Sequence, residues 1–373
     1  MRPIGGKRLM ARVQLGLGAD VRRMFERLQE RLTGIIRRYE GREGRIPQGV
    51  QLNMRRDVEQ AIRDVFVVPG TRTVFGPDGV TALTEYGRIL NRWYVRTVSD
   101  VVMLHHDWLR ANMPDDLVTW LTTSPARPLN VQEAERPTLV EYAMFYNNPL
   151  AQIDETRRWV PMHRWTDERG YRLSDRIWRT SDETRRKIDL ILAKGLAEGR
   201  SALELSEALE AYLIPNRAGV RTLRPYGPRF MPDGASYDAM RLARTEIARA
   251  HNQAAYLAAT LNPYVELLDL ARSLAGDPKC QICAAHATIG IHGQRVRPPY
   301  TMGEAIVPPN HPHCKCHLRP VVTQSPERVT ADLRAYMGRG AAPVVNPING
   351  NAFLLQLLGA ALMAFAEREM EFG

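Results

Sequence analysis

The feature that most constrains this chain is the confinement of its cysteines. All four lie between Cys280 and Cys316, as Cys280-Gln281-Ile282-Cys283 and within Asn310-His311-Pro312-His313-Cys314-Lys315-Cys316-His317. Six of the nine histidines fall between His251 and His317. A Cys-x-x-Cys turn can hold one metal ion, and a second pair of donors returned by a loop completes the tetrahedral shell that Zn²⁺ takes in structural sites. Cys280 and Cys283 form the first pair. The second comes from His311, Cys314 and Cys316, with His313 and His317 as outer candidates. The favoured closure is His311 plus one or both of Cys314 and Cys316. Pro312 and Pro308-Pro309 fix the backbone on either side of His311, so the arm is pre-shaped to deliver ligands. Two other readings stay open: reduced thiols, or disulfides, for which Cys-x-x-Cys and Cys-x-Cys are strained partners. A catalytic zinc needs an open position and a general base, and no His-Glu-x-x-His or His-x-Glu pattern accompanies the cysteines. The expected role is structural, and no catalytic or other cofactor-binding residue is assigned.

The chain of 373 residues is long enough for two or three domains. Its net charge of +10 is concentrated at the start. The first 45 residues hold twelve basic and five acidic side chains, a net +7. Arg22, Arg23, Arg37 and Arg38 are the candidate contacts to DNA phosphates, or equally a solvated helix face that meets an acidic protein. The early arginines interrupt every candidate secretory signal, and no run of about twenty apolar residues suggests a stable membrane span. Confined cysteines fit a reducing cytoplasm.

Apolar residues at three- and four-residue steps from Val21 to Tyr39, and again through Val58, Ile62, Val65 and Phe66, predict helices. Pro69-Gly70 and Gly76-Pro77-Asp78-Gly79 read as turns around a short strand or extended loop at Arg72 to Phe75. A long helix is expected from Thr81 to Leu109, with Tyr86, Trp93 and Tyr94 in its core face. His105-His106 reads as a surface or capping pair. Prolines from Pro114 to Pro149 imply linkers with one helix near Val140 to Tyr146. Ser181 reads as the cap of a helix that carries Ile188, Ile191 and Leu192, with Gly195 near its end. Ser201 and Glu204 form a capping box for a helix through Tyr212. Pro215 to Gly234 reads as a loop, and Ser236 to Ala259 as a helix in which Glu246 makes an ion pair or buried hydrogen bond. Strands are expected at Tyr264 to Leu270 and Leu318 to Val322, flanking the metal arm. After a loop over Gly338 to Gly350, Ala352 to Ala366 is apolar nearly all round and, at fifteen residues, short for a span. It reads as a docked helix.

The expected fold is therefore mainly α, with a small α+β C-terminal module knitted by a Cys/His zinc site. The expected regions are 1–125 (Arg-rich, helical), 126–235 (helical with Pro-rich linkers), 236–325 (zinc-knuckle module) and 326–373 (tail with an apolar helix).

Arg244-Thr245-Glu246 on a helix, Cys280-x-x-Cys283, and Pro308-Pro309-Asn310-His311-Pro312-His313-Cys314-Lys315-Cys316 together resemble the minor head (head morphogenesis) proteins of tailed bacteriophages, the Mu F-like family. Gly170 to Trp178 and Gly195 to Ser201 are similar to that family's helical lead-in. The resemblance spans residues 165–322 and is most specific in the His-Pro-x-Cys-x-Cys arm. It implies a minor capsid component inside the virion head near the portal, present in the host cytoplasm during assembly. The implied partners are the portal protein, the major capsid or scaffold protein, and packaged double-stranded DNA during packaging or ejection. It implies no enzymatic activity. About fifty residues follow Val322, too few for the appended enzymatic domain that some members carry. The alternative is a zinc-dependent DNA-binding or nuclease-like DNA-processing protein.

Overall fold

The computed structural model describes residues 2–3, 7–68, 71, 73–76, 81–112, 153–154, 156–157, 170, 172–214, 235–262, 264–271, 299–302, 305, 307–309, 314 and 316–339. These form β1 (Arg2–Pro3), α1 (Lys7–Arg38), a 3-10 turn at Gln48–Val50, α2 (Gln51–Phe66), α3 (Glu85–Ala111), α4 (Leu173–Ala197), α5 (Ala202–Leu213), α6 (Ala235–Leu261), β2 (Val265–Ala271), β3 (Tyr300–Thr301), β4 (His317–Val322) and α7 (Pro326–Arg339). The architecture is mainly helical with a small antiparallel sheet. The expected helix near Val140, the loop at 215–234 and the apolar segment at 352–366 lie outside the described residues. Among the described residues, no helix is long and apolar enough to cross a membrane.

Contacts divide the chain into two units. One comprises residues 11–94 and 162–247, the other 1–10, 95–161 and 248–373. Both are discontinuous in sequence, whereas the four expected regions are continuous stretches.

The unit of residues 11–94 and 162–247 is helical, and its core follows from the apolar stripe of α1. Leu17, Val21, Met24, Phe25, Leu28, Leu32 and Ile36 are all buried, one face of a 3.6-residue period. Phe25, Phe66 of α2 and Tyr86 of α3 meet in series as tilted rings, with centroids 6.0 and 5.4 Å apart. Each such side chain contributes roughly 1.5–3 kcal/mol by leaving water. Trp93 and Tyr94 are buried as expected. Val74 and Leu83 pair through a 3.0 Å backbone hydrogen bond, and Phe75 bridges Ala82, so α3 begins at Glu85 rather than Thr81.

Helix α4 corrects one boundary. Ser181 does not cap it; the helix begins eight residues earlier, at Leu173, and Ser181 is buried mid-helix. The start is fixed by the Asp175 carboxylate, which accepts the Arg172 amide at 3.0 Å. An arginine side chain has no acceptor, so only this half of a capping box forms. At the other end Gly199 takes φ +66°. Its N–H donates to Leu196 O at 3.1 Å and that of Arg200 to Gly195 O at 2.9 Å, the paired closure of a Schellman turn, which requires a left-handed residue. Helix α5 opens with the expected reciprocal box. Glu204 N donates to Ser201 Oγ at 3.3 Å, and Ser201 N to Glu204 Oε2 at 2.7 Å.

The other unit carries the sheet, in the order β1-β4-β2-β3. The central pair β2 and β4 runs antiparallel, with Asp269 opposite Arg319, Leu270 opposite Leu318 and Ala271 opposite His317, and a register shift between Val265 and Leu267. Asp269 and Arg319 make a cross-strand ion pair. The two outer strands are two residues each, Arg2–Pro3 on β4 and Tyr300–Thr301 on β2. The C-terminal half of α6 buries Ala250, Ala254, Ala255 and Ala258, small residues that allow close approach of its backbone. Tyr256 of α6 donates its hydroxyl to Met302 O at 2.8 Å. The His105-His106 reading is also corrected, since both rings are buried on α3. They continue the stripe of Val98, Val101 and Val102.

Helix α7 was not anticipated. Pro326 stands at the first helical position, where its missing N–H costs nothing. Ser325 Oγ accepts the Arg328 amide at 3.3 Å, so Ser-Pro-Glu was the available start signal.

Candidate metal centre

The returning arm is described in part. Cys280, Cys283 and His311 lie outside the described residues; Cys314 and Cys316 lie inside them, immediately before β4. Both thiols are buried, at 2% and 5% exposure. The Pro308–Pro309 peptide that precedes the arm is cis.

The arm is fastened by a side chain that sequence reasoning missed. Asn252, fully buried on α6, donates Nδ2 to Ala248 O at 2.8 Å and to Cys316 O at 3.3 Å. Its Oδ1 accepts the Leu318 amide at 2.8 Å. One carboxamide thus satisfies backbone groups on both sides of His317, groups that burial would otherwise leave costly. The signal in the sequence was a polar His251-Asn252 pair on an alanine-rich helix.

Beside this clamp, His251 of α6 and His317 of β4 are both buried, with ring centroids 6.1 Å apart and planes at 76°. Burial, and secondarily His317, lower the pKa of His251 to about 3, so the ring is neutral at pH 7. Neutral imidazole is the form that binds metals. Among the described residues, no three His, Cys, Asp or Glu side chains group as a metal shell. Two buried thiols and two buried imidazoles nonetheless provide the N and S donors that suit Zn²⁺. By themselves they form no zinc shell.

The remaining site residues are not chemically poised. Glu246, expected in an ion pair or a buried hydrogen bond, is buried and held by Arg176 of α4. Of the four candidate arginines, all on α1, Arg23 pairs with Asp20, and Arg38 lies 4.0 Å from Asp57. Arg22 and Arg37 are exposed, with no ion pair among the described residues. The groove between α2 and α4 is lined by Arg55, Arg56, Arg185, Glu59 and Asp189, and its two carboxylates are both engaged. Arg55 holds Asp189 at 2.8 and 2.7 Å, and Arg185 lies 3.4 Å from Glu59.

Comparison of this chain with family models, with curated proteins and with solved structures returns no match.

Proposed function

We propose that this protein is a minor capsid, head-morphogenesis protein of a tailed bacteriophage, built around a structural zinc ion that knits a helix–sheet module. The reading is supported above all by one juxtaposition: α6, which carries Arg244-Thr245-Glu246, is hydrogen-bonded through Asn252 to the Cys314-Lys315-Cys316 arm. The arm is the most specific part of the resemblance, and Arg244-Thr245-Glu246 is another of the stretches that carry it. Cys280 and Cys283 supply one half of the shell, and the returning arm with His311, Cys314 and Cys316 supplies donors for the other. Zinc would fix loops that bury too little surface to hold themselves, so its binding energy is folding energy. The portal protein and the major capsid or scaffold protein are the proposed partners, inside the head. Packaged DNA is a further contact, through Arg22 and Arg37.

Quantitative mass spectrometry of purified particles tests the reading. A fixed number of copies per intact virion is expected, and loss from emptied heads would add a role in ejection. Absence from both kinds of particle would overturn it. The second reading, a zinc-dependent DNA-binding or DNA-processing protein, is favoured by the exposure of Arg22 and Arg37. Salt-sensitive DNA binding by protein absent from heads would select it.

A further inference from the structure

We propose that the outward side of the α2–α4 helix pair is a docking surface for an acidic amphipathic helix of a partner protein, which sets its apolar residues on Leu52 and Leu190 and its carboxylates against Arg56 and Arg186. The surface belongs to the unit of residues 11–94 and 162–247. It needs no zinc and uses none of the α1 arginines assigned to DNA.

Three observations carry it. The helices run antiparallel, because Arg55 holds Asp189 while Glu59, one turn after Arg55, meets Arg185, one turn before Asp189. This pairing sets Leu52 and Leu190 toward one end of the pair and Arg56 and Arg186 toward the other. Each helix thus presents a leucine and an arginine one turn apart. Leu52 and Leu190 are 66% and 68% exposed, and both arginines are exposed. Second, positive charge is left over. Glu59 meets both Arg63 and Arg185, at 2.6 and 3.4 Å. Asp182 meets both Arg185 and Arg186, at 2.8 and 2.9 Å. Asp189 is engaged by Arg55, and Arg56 has no carboxylate partner among the described residues. A surface with that surplus is complementary to an acidic partner. Third, a cavity of about 230 Å³ lies between the helices, with Val58, Ile62, Ile188 and Leu192 at its base and Leu52 and Arg56 along one side. Small-molecule pockets hold roughly 300–1,000 Å³. This smaller one suits a single apolar side chain, the kind of anchor by which an amphipathic helix enters a groove. A nucleic-acid backbone would leave both leucines wet. An anionic bilayer would be repelled by Glu59 and Asp189 in the same groove.

The test is fluorescence anisotropy of the full-length protein with a labelled synthetic helix of glutamate, leucine and alanine, its leucines at i, i+3, i+4 and i+7. Saturable binding that weakens with salt is expected. Leu52→Ser with Leu190→Ser, and separately Arg56→Glu with Arg186→Gln, should each weaken it about tenfold or more. Arg22→Gln with Arg37→Gln should leave it unchanged. A peptide with serine in place of leucine should bind wild type about tenfold more weakly. All four substituted side chains are exposed, so thermal unfolding should match wild type, and each double variant checks the other should one fail to fold. No saturable binding, or binding that both double variants retain, would overturn the docking surface. Loss of duplex DNA or of phosphatidylserine vesicle binding in these variants, with peptide binding intact, would overturn it in favour of a nucleic-acid or a membrane contact.

Discussion

Glu246, with no exposed side-chain surface, is held by both terminal nitrogens of Arg176, seventy residues earlier, at 2.5 and 3.0 Å. The pair ties α6 to α4 by charge-assisted bonds in the bidentate geometry that only arginine offers. Beside it Tyr86 donates its phenol to Ala239 O at 2.5 Å. Burial first, and the Glu246 charge second, raise the Tyr86 pKa far beyond the physiological range. Removing one partner of such a pair strands a buried charge, which costs about 3–5 kcal/mol. Arg176→Ala should therefore lower unfolding stability in urea by about that amount. The double change Arg176→Met with Glu246→Leu should recover most of it. A single mutant as stable as wild type would show that Glu246 is solvated after all.

Two glycines of one helix should respond in opposite senses to alanine. A Cβ on Gly16 would lie 2.3 Å from Cη2 and 2.6 Å from Cζ2 of Trp93. The indole cannot easily withdraw, because its Nε1 donates to Asp20 at 2.8 Å. Gly16→Ala should cost about 1–3 kcal/mol through overpacking. Gly34 is exposed in the same helix with nothing within 4 Å of an added Cβ, so Gly34→Ala should stabilise by about 0.5–1 kcal/mol. Thermal unfolding of both variants reads the contrast directly.

What the sequence made legible divides by range. The α1 stripe, the Ser201–Glu204 box, the two long strands and the buried Tyr86, Trp93 and Tyr94 depend on local periodicity or on neighbours a few residues away. The Arg176–Glu246 pair and the Asn252 clamp depend on partners 64 to 70 residues distant. No local pattern reports those. Ser181 misled because Ser-Asp-Glu imitates a helix start in the middle of a helix that was already running. In the candidate site, the cysteine spacing was plain, whereas the two histidines that face each other, His251 and His317, come from different elements and became a pair only through the fold.

His105 supplies a pH prediction. Its pKa is lowered to about 3 by burial, against about 6.5 in an unfolded chain. Below pH 6.5 the unfolded state gains a proton that the folded state refuses, so this contribution to stability is fully present above pH 6.5. It is lost progressively as pH falls toward 3, at up to about 1.4 kcal/mol per pH unit. Between pH 6.5 and 5 most carboxylates remain charged, which isolates the histidine effect. Urea unfolding across that window should show falling stability in wild type and a shallower slope in His105→Gln. Equal slopes would remove His105 as a cause.

The arginines of α1 divide by the company they keep, and DNA binding should divide with them. Arg23 and Arg38 lie beside Asp20 and Asp57, whose charges offset their attraction for phosphate. Arg22 and Arg37 are exposed, with no such neighbour among the described residues. Each phosphate contact contributes about 0.9 to the slope of log affinity against log salt on duplex DNA. If α1 meets packaged DNA, Arg22→Gln with Arg37→Gln should reduce that slope by about two and weaken binding at low salt. Arg23→Gln with Arg38→Gln should change it less, because the neighbouring Asp20 and Asp57 already oppose phosphate contact at these positions. Fluorescence titrations of labelled duplex at several salt concentrations would measure both slopes. Unchanged DNA affinity in the first double variant, together with lost portal binding, would make α1 a protein-contact face, with its arginines recognising acidic side chains instead of phosphates.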